Sequence, residues 1–172
     1  MIFTFKKATH TTMYISKIIV SSIGGTSLMS LFSYLVSDQK HKNFKEPEIL
    51  SDLVKRVIPD ISKQQADIGG WVLHYAVGTL FTAIYDQIWD KTSIKPNIKS
   101  GALLGALSGL AGIAIWRTTI AMHPRPPIKD YNSYYKHLLL AHILFGIAAA
   151  ESYKRTKNIL PDVLENKGIR NK

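Results

Sequence analysis

Residues 101–115 read GALLGALSGLAGIAI, an unbroken stretch without a formal charge. A helix of a soluble protein turns a polar face to water about every 3.6 residues, and this stretch has no such face. Its glycines, Gly101, Gly105, Gly109 and Gly112, would each weaken an aqueous helix by about 1 kcal/mol relative to alanine. In lipid the backbone has no water to bond to, so it stays helical and glycine becomes a packing surface. The stretch reads as a membrane span.

The same reading extends outward along the chain. Charge-free runs cover 18–37, 68–85 and 100–116, which are 20, 18 and 17 residues long. A helix rising 1.5 Å per residue needs roughly 20 apolar residues to cross a hydrocarbon core of about 30 Å. Spans are therefore expected at 13–37, 68–89, 100–122 and 134–153. The last is the weakest, because only 138–150 is uncharged; Tyr134, Tyr135 and Tyr153 extend it as interfacial aromatics. Trp71, Trp89 and Trp116 also fall near span ends. The expected fold is all-α, a single membrane domain over 1–172 built as a four-helix bundle. Averages conceal this: 46% hydrophobic and 20% charged residues describe an ordinary soluble protein. The first span is read as retained, since its run of 20 residues exceeds a signal-peptide core and Leu35 occupies the place of a small residue before cleavage.

The formal net charge is +10, and the excess lies at span flanks and in a basic tail over 154–172. There it faces anionic lipid headgroups, so the bilayer is the expected partner and nucleic acid is not. With four spans, twelve of the 22 Lys and Arg residues fall on the side of the termini and ten on the other. Lys154, Arg155 and Lys157 directly follow the last span, which places the termini in the cytoplasm. The loop over 38–67 is the longest. Within it, residues 47–58 carry Ile49, Leu50, Leu53, Val54, Val57 and Ile58 at helical spacing, opposite Asp52, Lys55 and Arg56. A short amphipathic helix is expected there, covering the ends of the spans.

Absence of cysteine excludes disulfides, Cys-ligated metal and a thiol nucleophile. No hydrolase, metalloprotease or nucleotide-binding motif is present, so no reaction can be named and no metal is expected. Two stripes of small residues point to packing. Gly101, Gly105, Gly109 and Gly112 lie along the third span, and Ser22, Thr26, Ser30 and Ser33 along the first, so these two spans are expected to pack together. Ionisable groups inside spans point to function. His74, His142 and Arg117 fall in the outer half of the expected bundle, where they would suit an anion, a headgroup or a proton. A haem held by both histidines is the remaining cofactor alternative. At the inner boundary Lys17, Asp86 and Glu151 are expected to form ion pairs. His74, Gly78 and Tyr85 recur as His142, Gly146 and Tyr153 at an offset of 68, as duplication of a helical hairpin would produce. The prolines of "MHPRPP", from Met122 onward, are expected to end the third span.

The order of these features resembles the YagU-like inner-membrane proteins, a bacterial family. A span with His74 and Tyr85 leads to "GALLGALSGL", then to "MHPRPP" in a loop, then to "AHILFGIAAAESYKR" with a basic exit. The resemblance covers about residues 71–155 and leaves the loop over 38–67 unmatched. It implies a bacterial inner membrane, four spans and cytoplasmic termini, but no substrate and no catalytic residues. The function expected is that of a non-catalytic accessory or assembly subunit, meeting another membrane protein or a second copy of itself. The alternative is a small transporter or channel component using His74, His142 and Arg117.

Overall fold

The computed structural model describes the backbone of residues 2–122 and 130–166, and side chains over 15–122 and 130–156. Helices occupy Ile2–Lys40 (α1), Glu46–Val57 (α2), Lys63–Lys91 (α3), Ile98–Met122 (α4) and Tyr131–Asn166 (α5). Among the described residues there is no strand. Three stretches are long and apolar enough to cross a membrane: Ile15–Lys40, Lys63–Lys91 and Ile98–Met122. The fourth expected span lies in α5, which falls outside that set. α5 also continues through the expected tail as far as Asn166, while His123 to Pro127 and the tail beyond Asn166 lie outside the described residues.

Local chemistry explains where the helices begin. Ser62 and Gln65 form a reciprocal capping box at α3, with Gln65 N donating to Ser62 Oγ at 3.1 Å and Ser62 N to Gln65 Oε1 at 2.9 Å. Asn97 and Ser100 exchange a similar pair at α4. α2 opens with Pro47 in its first turn, flanked by Glu46 and Glu48, and closes with Lys55 and Arg56, as the helix dipole favours. α1 ends at His41, whose positive φ of 50° is a left-handed cap. Lys42 then donates to Asp130 at 2.6 Å, and Asp130 Oδ1 accepts from Ser133 N at 3.1 Å. This ties the α1–α2 turn to the start of α5, and these donors hold the Asp130 carboxyl well below the usual carboxylate range.

α5 is the central helix. It packs along α1 on one side and α4 on the other, while α3 rests on α1 and is crossed by α2. Tyr134, Leu138, Ala141, Phe145, Ala149 and Ala150 of α5 are all buried. Among the described side chains of α5, only Leu140 is an exposed large hydrophobic, whereas α1 exposes Ile15, Ile19, Ile23, Leu31 and Leu35. A helix enclosed by protein can carry histidines and a broken apolar run, because its neighbours supply the partners that lipid cannot. That is why α5 is less apolar than α1, α3 and α4.

The expected pairing of the first and third spans is not what forms. The α4 glycines face α5: a Cβ on Gly101 would stand 2.5 Å from Gly146 O, and one on Gly105 2.8 Å from Ile143 Cα. The α1 hydroxyls face α3 and α5 instead. Ser22 Oγ meets Thr79 Oγ1 at 2.7 Å, Ser30 Oγ meets His74 Nε2 at 2.9 Å, and Ser33 Oγ meets His137 Nε2 at 2.9 Å. The sequence shows which faces are small but not which helix each one meets, and α5 lies between the two stripes.

These contacts predict a graded response to leucine substitution. Gly105→Leu places a branched side chain where even a methyl has no room and should destabilise the bundle by about 1–3 kcal/mol or more. Gly69→Leu is the control, because a Cβ there meets only the Val54 methyls, at 3.5 and 3.7 Å. Thermal unfolding in detergent should show a large loss for the first variant and a small change for the second.

Candidate functional site: a lateral cleft between α3 and α4

α3 and α4 barely pack against each other. One side chain joins them: Tyr85 of α3 donates to Leu104 O of α4 at 2.9 Å and shares a hydrogen bond with Ser108 Oγ at 2.6 Å. Toward the α2 end they diverge and leave a cavity of about 170 Å³. Val77 and Phe81 form one wall, Ile115 and Trp116 the other, and Leu138 and Phe145 the floor. An apolar cavity of about 150 Å³ accepts a benzene ring, so this one has room for one ring-sized body.

Polar groups converge on this apolar space. His74 and His142 both line it, so the structure brings these two residues together. His142 Nδ1 lies 2.9 Å from Leu138 O; since a carbonyl only accepts, Nδ1 carries the proton and Nε2 is left as an acceptor. Thr26 also lines the cavity, and its hydroxyl has no hydrogen-bond partner. Arg117 does not join them; it is exposed on α4 near Tyr135 and is not among the lining residues.

The remaining lining group is Glu46, at the first turn of α2. It is 3% exposed, and neither carboxylate oxygen makes a hydrogen bond of normal geometry. His137 Nε2 is 3.9 Å from Oε1 but is engaged by Ser33, with its ring stacked between Phe32 and Phe44 at 5.0 and 4.6 Å. Burial pushes the Glu46 carboxyl up to about 7, an effect tempered by its own backbone amide and the nearby Ser33 hydroxyl. Sequence reasoning did not single out Glu46. A signal was nevertheless present, since Glu46 shares the apolar stripe of Ile49, Leu50 and Leu53 at helical spacing. Tyr134 and His137 were also missed as buried polar groups; both lie on the α5 face that carries Leu138 and Ala141.

The two histidines do not suit a bis-imidazole haem. His74 Nε2 is engaged by Ser30, and a cavity with room for one ring cannot enclose a four-pyrrole macrocycle. At the opposite end, among the described residues, no ion pair joins Lys17, Asp86 and Glu151. Tyr153 links two of them instead: its hydroxyl donates to Asp86 Oδ1 at 2.7 Å, and Lys17 Nζ lies 5.8 Å from its ring centroid. The chain matches no protein-family model, no curated protein and no solved structure.

The buried carboxyl gives stability a definite pH dependence. Glu46 holds its proton more tightly folded (about 7) than unfolded (about 4.5), so the folded state binds more protons between those values. Stability is full below about pH 4.5 and falls as pH rises toward 7, by about 3 kcal/mol in total. Denaturant unfolding at pH 5 and pH 8 should show this loss, and Glu46→Gln should remove most of it.

Proposed function

We propose that this chain is a non-catalytic integral membrane protein that holds a lipophilic small molecule in the α3/α4 cleft, as a small carrier or transporter component. The observation that carries this reading is an apolar, ring-sized cavity placed where two lipid-compatible helices diverge. Binding sites for small molecules are commonly concave and mostly apolar, with a few converging polar groups. The accessory-subunit reading relied on a small-residue face left for a partner. Both stripes are engaged inside the chain, the α4 glycines against α5 and the α1 hydroxyls against α3 and α5, which favours the carrier.

In this proposal α5 is the fourth span, shielded from lipid by its neighbours, and the protein sits in a bacterial inner membrane with cytoplasmic termini. The resemblance to the YagU-like proteins and the basic flanks beside anionic headgroups support that placement. The cleft then opens sideways, toward the hydrocarbon that carries its ligand.

The test uses 4-fluorobenzyl alcohol, a neutral single-ring probe, followed by ¹⁹F NMR with the protein in nanodiscs and empty nanodiscs as the blank. Saturable binding beyond lipid partitioning is expected. Ile115→Trp should abolish it, because Ile115 lines the cleft yet is 60% exposed, so a larger ring fills the mouth without entering the core. A protein sample indistinguishable from empty nanodiscs rules the cleft out as the working part.

A further inference from the structure

We infer that the cleft selects a lipophilic cation, a protonated amine on a ring-sized apolar body, with the Glu46 carboxylate as its counter-ion. This rests on the cleft reading above and adds the charge of the occupant. Among the described residues, Glu46 is the only Asp, Glu, Lys or Arg that lines the cavity. A buried carboxylate with no hydrogen bond of normal geometry is not stable as a bare charge; it must hold either a proton or a cation.

Among the described residues, no neighbouring cation is free to do this. Lys45, next to Glu46, pairs with Glu48 at 3.0 Å and lies 4.9 Å from the Tyr34 ring centroid. His137 is engaged by Ser33 and stacked between two phenylalanines. The other polar atoms around the cavity also ask for a donor. His142 Nε2 is an acceptor, and the Thr26 hydroxyl can accept. Phe81, Trp116 and Phe145 add aromatic faces, which attract cations. An anionic headgroup, the ligand suggested by His74, His142 and Arg117 in the sequence, meets the opposite environment. Arg117 is elsewhere, and an acidic group occupies the cavity.

Binding is then an exchange. The ammonium enters, the O–H bond of the Glu46 carboxyl breaks, and its proton leaves to water, so net charge is conserved. Amine affinity must therefore fall on acidification, as protons compete for the carboxylate. Other groups face Glu46 and can titrate: His137 and Tyr134 from α5, Tyr34 from α1, His74 of α3 across the cavity, and Lys45 and Glu48 on its own turn. None of these changes in Glu46→Gln, which isolates the carboxyl.

The experiment compares 4-fluorobenzylamine with 4-fluorobenzyl alcohol, two probes of one size, by ¹⁹F NMR on the nanodisc protein at pH 8 and pH 5.5. At pH 8 the amine should bind at least tenfold tighter than the alcohol. That preference should collapse at pH 5.5, and Glu46→Gln should remove it at both values while alcohol binding persists. Persisting alcohol binding also shows that the variant is folded. Equal affinities for the two probes, or a pH dependence that survives in Glu46→Gln, overturns the cation assignment and leaves a neutral cleft. Failure of both probes overturns the cleft reading itself.

Discussion

The close approach of α4 to α5 governs the rest of the bundle. At Gly101, Gly105 and Gly146 backbone meets backbone, and no side chain larger than hydrogen fits between them. Contact of this kind replaces the hydrophobic drive that two helices lack inside lipid, because dispersion and weak backbone contacts grow as the helices near each other. Its geometric consequence is that α4 commits its small face to α5. The face turned toward α3 then carries Ile115, Trp116 and Thr119, too bulky for a second close approach. Tyr85 reaches across at one end, and the other end stays open. The cleft follows directly from the glycine seam.

A second constraint acts on α1, whose buried side is built from hydroxyls and whose exposed side is built from aliphatic residues. Ser21, Ser22, Thr26, Ser30 and Ser33 are all buried, while Ile19, Ile23, Leu31 and Leu35 are exposed. In water this arrangement would be inverted. Against hydrocarbon it is consistent, since inward hydroxyls can meet polar groups on neighbouring helices. Three of them, Ser22, Ser30 and Ser33, do so on α3 and α5, and two of those partners are histidines. The histidines of this protein are thus partly architectural. His137 Nε2 is occupied in this way, whereas His142, bonded to its own helix through Nδ1, keeps an acceptor for the cavity.

Much of the architecture was legible because it follows from composition along single segments. The charge-free runs locate α1, α3 and α4, and the apolar stripe after Pro47 locates α2. The central position of α5 was not legible. Its weaker apolar run reads as a marginal span, when the physical reason for the weakness is enclosure by protein. Pairing between helices was also hidden, since a small face does not identify its partner. For the site, His74 and His142 could be found as ionisable residues within apolar runs. Glu46 could not be found that way, as it lies outside every span and reaches the cavity only because α2 crosses α3 at Gly70. There, a Cβ would collide with Pro47 O and stand 2.7 Å from Ser51 N.

That crossing makes Glu46 hard to explain as a structural residue alone. α2 is already well seated: Ile49 is buried, and Ser51 donates to Asp67 at 2.6 Å. A leucine or glutamine at position 46 would spare the helix a buried carboxyl with no hydrogen bond of normal geometry, a group that weakens the fold as pH rises. Dipole stabilisation does not require it, because Glu48 occupies the same first turn with more exposure. Its neighbours compensate it only in part: the Ser33 hydroxyl is nearby, but Tyr134 contributes a buried hydroxyl that is itself without a partner. Of the buried polar atoms without a partner, those of Glu46 and Thr26 line the ring-sized cavity, where the proposed ligand would meet them.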